Sequence, residues 1–179
     1  ARDRRCTTGS QRSEPQPVSD FSTNFTDKTA IVTGAGAGVG RAVALALARS
    51  GAAVAVTDIN PDRVETIADE ITGAGGQAFP WQADVTNRFQ VGSMIEETRS
   101  HFGRVHILVN AAGVYKPTPF AKVDEWDWRR QLDVNLTGAF FCMQLLGRVM
   151  ADEGGGVIAN IASTAAQTHA LAESAAYTA

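Results

Sequence analysis

From residue 28 onward, short and long apolar stretches alternate along the chain. Residues 29–32 (Thr-Ala-Ile-Val) form a brief apolar run bounded by a glycine-rich loop, the pattern of a buried strand. The next stretch has apolar residues at 39, 42, 43, 46 and 47. That spacing is helical, and Gly51 stands where a helix-ending glycine belongs. Residues 53–56 read as a second strand. Pro61 opens a second helix at a position suited to proline, and glycines between 73 and 76 close it. A third, less apolar strand over 78–82 contains Pro80, which predicts a sheet edge because proline donates no ladder hydrogen bond. Asn87 is placed to cap a helix reaching about residue 101, and 106–109 form a fourth strand. A loop with Pro117 and Pro119 leads into a long helical region over 124–150. Residues 156–160 make a fifth strand, and a loop of small residues then runs to Tyr177.

Strands alternating with helices imply βαβ units. The fold class is therefore α/β: a doubly wound parallel sheet with helices on both faces, right-handed crossovers, and a ligand crevice where the strand order reverses.

The remaining composition narrows the function classes. The chain has 179 residues, enough for one domain with a real core. Hydrophobic residues at 44% and charged residues at 20% place it among soluble globular chains. A net charge of −3 lacks the basic patch of a nucleic-acid binder. No run approaches the roughly 18 apolar residues of a membrane span, so no membrane partner is expected. Cys6 lies in a polar start and Cys142 in an apolar helical stretch, which is neither a disulfide framework nor a metal cluster. Two free thiols and a cytoplasmic location follow. Residues 1–26 are polar, with Arg2, Arg4, Arg5, Arg12, Pro15 and Pro17, and read as a disordered or leader-like extension. Asp3 and Glu14 speak against a transit peptide, which is poor in acids.

The candidate chemistry begins at Thr33-Gly34-Ala35-Gly36-Ala37-Gly38-Val39-Gly40, between the first strand and the first helix. Glycines allow a tight turn and let a diphosphate approach the backbone, and the helix N-terminus behind them offers free N–H groups and a positive dipole end. An ordinary glycine-rich turn is the alternative. No glycine here starts a G-x-G-x-x-G, and no Gly-Lys-Ser/Thr follows to make a P-loop. Asp58 ends the second strand, 24 residues after Gly34. An acid near that spacing accepts hydrogen bonds from adenosine ribose hydroxyls and repels a 2′-phosphate, which selects NAD over NADP. Alternatively, Asp58 only starts the turn before Pro61.

Thr33, Gly34, Gly38 and Gly40 match T-G-x-x-x-G-x-G, and with it the chain resembles the classical branch of the short-chain dehydrogenase/reductase family. The resemblance runs over about residues 28–179 and implies a Rossmann-like, NAD-binding domain over 27–179. Family members that prefer NADP often carry a basic residue at the positions of Ala37 or Ile59, which are apolar here. The resemblance places Asp84-Val85 at the adenine ring. Asn110-Ala111-Ala112-Gly113 resembles the family's N-N-A-G, with Asn110 tying the sheet and Ala112-Gly113 beside the nicotinamide ribose.

The family's Asn, Ser, Tyr and Lys catalytic set matches Asn135, Ser163 and Tyr177, with Tyr177 14 residues after Ser163. The resemblance implies that Tyr177 carries the proton, that Ser163 binds the substrate oxygen, and that Asn135 holds a water linked to a lysine. That lysine would fall at position 181, beyond Ala179, so the sheet and site are expected to be incomplete at the C-terminal end. Each residue also has a plainer reading: a satisfied helix Asn, a loop Ser with a local backbone bond, a packing Tyr. No G-x-S-x-G surrounds Ser163, which excludes a hydrolase elbow. His169 and Glu173 fall where family members touch substrate, or are solvated loop polarity. Trp126 reads as packing, and Met143, Leu145, Leu146 and Val149 as core or as the subunit interface of a homodimer or homotetramer. Two functions result: an oxidoreductase that uses NAD on a small-molecule alcohol or carbonyl substrate, or a dinucleotide-binding module without turnover.

Overall fold

Alternate residues of the central strands serve two different cores. This is seen in a computed structural model, which describes residues 23–166, 173 and 175–178. Five strands form one sheet: β1 (Thr29–Thr33), β2 (Ala53–Asp58), β3 (Gln77–Gln82), β4 (Ile107–Asn110) and β5 (Val157–Asn160). All pairs are parallel, in the order β3-β2-β1-β4-β5. Register aligns Ile31 with Ala55 and Leu108, and Val32 with Val56 and Val109. Because side chains alternate along a strand, the first set faces one layer of helices and the second set the other. Ile31, Ala55 and Leu108 pack with Val91, Met94, Cys142 and Leu146. These come from α3 (Arg88–Phe102) and α5 (Ala139–Asp152). Val32, Val56 and Val109 pack with Ala44, Leu45, Ile67 and Ile71. These come from α1 (Gly38–Arg49) and α2 (Pro61–Gly73). The sheet is thus doubly wound, as the sequence pattern predicts.

Local signals account for several boundaries. Asn87 caps α3 by accepting from the N–H groups of Phe89 and Gln90, and Asn60 caps α2 from Arg63. Gly51 ends α1 with a φ of 93°, the left-handed conformation that favours glycine. Pro80 lies in β3, which is an edge strand. Leu146 is fully buried, and Met143, Leu145 and Val149 pack on the same core. Burial also pushes the Cys142 thiol up to about 12, so it stays protonated and inert. Cys6 and most of the N-terminal extension lie outside the described residues, as does His169.

Two expectations change. The long helical region is α4 (Glu125–Leu132), a π-helical turn (Asp133–Gly138) and α5 in direct succession. As one run, Glu125–Asp152 is long and apolar enough to cross a membrane by length and composition, which a count of consecutive apolar residues does not register. Its Cys142, Leu146 and Met150 belong to the core under the sheet, and 28% of its most apolar stretch is buried. Trp126, expected to pack, is 69% exposed.

Candidate active site

β1 feeds α1 toward one side of the sheet, whereas the chain reaches β4 on the other side of β1. The crevice between their loops is the switch point of the topology. A cavity of about 690 Å³ lies there.

One end of the cavity is the glycine loop. Gly34, Gly38, Val39 and Gly40 line it, with Ala37 at the start of α1. The N-terminus of α1 has no side-chain cap and no acid in its first turn. That first turn, whose N–H groups have no intrahelical acceptor, lines the cavity through Gly38, Val39 and Gly40. Gly38 has a φ of 55°, and a side chain added there would meet nothing within 4 Å. An anion fits that space against the dipole end of the helix.

Asp58 and Ile59 line the same end. The Asp58 carboxylate is fixed by two backbone donors: Gly36 N–H to Oδ2 at 3.1 Å and Asn60 N–H to Oδ1 at 3.0 Å. Each oxygen keeps lone pairs for a further donor. Asp84 and Val85 form another wall. Asp84 accepts from Thr86 through Oδ1, and its Oδ2 pairs with Arg130 of α4 at 3.6 Å. Ala111, Ala112 and Gly113 complete the floor.

Three residues of the expected set do not line the cavity; they build what lies beneath it. Thr33 Oγ1 accepts from the N–H groups of Ala111 and Ala112, stitching the loop after β4 to the end of β1. Gly36 touches Asp58 rather than open space. Asn110 Nδ2 donates to Asn160 Oδ1 at 2.8 Å, tying β4 to β5 at their ends.

The other end of the cavity carries Asn135, Ser163 and Tyr177. Asn135 sits in the π-helical turn, a rare geometry frequent at functional sites. Its Oδ1 accepts from Val114 N–H at 2.8 Å and its Nδ2 donates to Val114 O at 2.9 Å. Ser163 is exposed, and its Oγ accepts from Ala165 N–H at 3.1 Å, leaving the hydroxyl proton free to donate. Tyr177 lies on the single turn of α6 (Ala175–Thr178), half-buried, with its ring 4.9 Å from that of Tyr115. Glu173 is exposed and its carbonyl accepts from Thr118 N–H.

Sequence reasoning missed Tyr115, Arg63 and Arg130, all of which line the cavity. Arg63 comes from the first turn of α2, and its Cβ lies over Gly36 beside Asp58. Only the parallel packing of β1 and β2 reveals it, since no motif includes it. Among the described residues no cluster of His, Cys, Asp and Glu could hold a metal.

Known proteins share this fold. The family described as short chain dehydrogenase matches residues 28–179. D-threitol dehydrogenase of Mycolicibacterium smegmatis is 39% identical over 158 residues, 88% of this chain and 60% of that protein. 7α-hydroxysteroid dehydrogenase of Escherichia coli K12 is 42% identical over 140 residues, 78% of this chain and 54% of that protein. A solved 7α-hydroxysteroid dehydrogenase, in complex with NADH and 7-oxo glycochenodeoxycholic acid, superposes with a TM-score of 0.83 at 38% identity, covering 88% of this chain and 61% of that one. A short-chain type dehydrogenase/reductase from Mycobacterium marinum gives 0.84 at 35% identity, covering 87% and 64%. The chain thus spans less than two thirds of the length of these relatives. With the match covering nearly the whole described domain, the chain belongs to the short chain dehydrogenase family.

Proposed function

We propose that the full-length protein is an oxidoreductase moving a hydride between NAD(H) and the carbon of an alcohol or carbonyl group. The observation that carries this reading is that Ser163 and Tyr177 open onto the same cavity as the glycine loop and Asp58. A bound nicotinamide dinucleotide supplies or accepts the hydride. The protein's part is to bind, orient and move a proton. The α1 N-terminus and Gly38 receive the diphosphate, and Asp58 receives ribose hydroxyls. In the oxidation direction the substrate hydroxyl gives its proton to the Tyr177 phenolate oxygen, while Ser163 Oγ–H donates to the substrate oxygen. In reduction the Tyr177 phenol returns the proton. Asn135 acts as a positioning residue, since Val114 engages its amide at both ends. A panel of D-threitol and a 7α-hydroxysteroid with NAD, followed by NADH absorbance, tests the reading. Binding of NADH without turnover of any alcohol or ketone would favour the module without catalysis.

NAD rather than NADP is the proposed cofactor. Two backbone N–H groups orient the Asp58 carboxylate at this end of the cavity, where it would repel a 2′-phosphate. Replacing Asp58 with Ser and Ile59 with Arg removes a charged acceptor and adds a cation near Arg63. A hydrogen bond to a charged group contributes about 1.5–3 kcal/mol, so the ratio of NAD to NADP affinities should fall by about 10–100-fold. Dissociation constants for both dinucleotides check this, and tighter NADP(H) binding by the unmodified protein would sink it.

Ser163→Ala should lower kcat without altering dinucleotide affinity. One positioned donor to developing oxyanion charge is worth about 2.7–4 kcal/mol, which predicts a loss of about 10²–10³-fold. Steady-state kinetics beside an NADH titration separate the two effects. Parent kcat in this variant would leave Ser163 with only its local bond to Ala165.

A further inference from the structure

We propose that Tyr115 is a positioning residue for Tyr177, its ring held in place by a polar clamp on α4 and the π-helical turn. The proposal rests on the reading of Tyr177 as the proton carrier. α6 is a single turn of four residues, too short to hold a helix by its own hydrogen bonds. Its tyrosine must be located by packing. The ring it meets is Tyr115, 4.9 Å away between centroids and tilted by 54°, and both rings line the cavity. Tilted aromatic pairs at this separation attract beyond their buried area, but only a fixed partner can define a position.

The backbone on both sides of Tyr115 is tied down, while the residue itself is 47% exposed. Val114, before it, is bound at both N–H and carbonyl by Asn135. Lys116, after it, gives its N–H to Gln131 Oε1 at 3.3 Å and pairs its Nζ with Asp127 at 2.5 Å. Asp127, Gln131 and Asn135 stand four residues apart, so they form one stripe along the helix. Asp127 and Gln131 are 4% and 3% exposed. Burying a carboxylate and an amide is costly unless partners satisfy them. Here the partners are the two residues that flank Tyr115. Thr118 adds a third tie, donating its N–H to the Glu173 carbonyl just before α6. The polar stripe therefore serves to hold one ring against the tyrosine of the site.

The test uses the full-length protein with NAD and a panel of D-threitol and a 7α-hydroxysteroid, comparing Tyr115→Ala, Tyr115→Leu and Tyr115→Phe. Tyr177 is also followed by tyrosine 13Cζ resonances in the NAD complex, its signal assigned by its loss in Tyr177→Phe. With the ring gone, kcat should fall about tenfold or more in Ala and Leu, while the dissociation constant for NADH holds, and the Tyr177 13Cζ resonance should change position as its ring loses its neighbour. The Phe variant keeps the ring and should keep parent kcat and the parent Tyr177 resonance, because the ring and not the hydroxyl does the holding. The Leu variant guards against collapse of the loop in Ala, since it fills most of the volume without an aromatic face. Parent kcat in both Ala and Leu would overturn the proposal, whatever the Tyr177 resonance does. If Tyr177→Phe itself turns over at the parent rate, the proton-carrier reading fails instead, and this inference falls with it.

Discussion

Tyr177→Phe in the full-length protein should abolish most turnover while leaving NADH affinity nearly unchanged. The substitution removes one oxygen and keeps the ring. The contact with Tyr115 therefore survives, as does the burial of neighbouring Ala176. What is lost is the only phenol on α6 that opens into the cavity. General acid–base catalysis by a positioned side chain is worth about 10²–10⁴-fold, and kcat should drop by that much. A free phenol has a pKa of about 10, so a neighbouring cation is needed for it to act as a base near neutral pH. The loss should therefore be seen in both directions of the reaction and at every pH, because Phe carries no proton at all. Initial rates with NAD and each alcohol of the panel, beside a fluorescence titration with NADH, check it. A variant that keeps a substantial share of the parent rate would remove Tyr177 from the proton path.

The strands and the glycine loop were legible in the sequence because each carries its own local signal. Pro80 marked the edge strand before any partner was known, and Asn87 and Gly51 marked helix ends through backbone chemistry that acts within a few residues. The cavity walls were less legible. Thr33 belongs to the same motif as Gly34, yet its hydroxyl faces the backbone of Ala111 and Ala112, about 78 positions away in sequence. Arg63 reaches the site only because β2 lies beside β1 and Asn60 sets the start of α2.

The stripe on α4 was the most misleading segment. Asp127 and Gln131 have the composition of a solvated face, whereas Trp126 has that of a core residue, and the structure inverts them. Neighbouring positions on a helix differ by about 100°. Once Asp127 and Gln131 turn inward to bind the loop after β4, Trp126 is rotated toward solvent. The spacing 127, 131, 135 was visible in the sequence; what was missing was the knowledge that backbone N–H groups of a loop would be waiting for it. The same limit applies to Ser163. Its local bond to Ala165 fits the plainer reading, and its place on the cavity wall fits the catalytic one, so sequence alone could not choose between them.

Gly40→Ala should be strongly damaging to the glycine-loop end of the cavity. In an open helical position Ala would be preferred over Gly by about 0.5–1 kcal/mol, so propensity alone predicts stabilisation. Space decides otherwise. A Cβ on Gly40 would stand 2.2 Å from the carbonyl oxygen of Gly34 and 2.8 Å from its carbon. Both are backbone atoms, with no flexible side chain to yield. Nor can Gly34 retreat. It holds a φ of 64°, and any Cβ of its own would stand 2.6 Å from Ala112 Cα. Ala112 is in turn held by Thr33 Oγ1. The methyl group must therefore push the first turn of α1 away from the loop, opening the cradle of N–H groups. Overpacking of this kind costs about 1–3 kcal/mol, which exceeds the propensity gain. For a domain of this size, 1 kcal/mol lowers Tm by about 2–4 °C, so a drop of several degrees is expected. NADH affinity should fall by about tenfold or more, since 1.4 kcal/mol of lost contact is already tenfold. Gly73→Ala provides the comparison, because a Cβ there meets nothing within 4 Å and the residue lies at the end of α2, away from the cavity. With helix propensity unopposed, it should melt at or slightly above the parent and bind NADH like it. Thermal unfolding and NADH titration of the two variants give the result, and a Gly40→Ala protein indistinguishable from Gly73→Ala would mean that the glycine loop does not hold the dinucleotide as described.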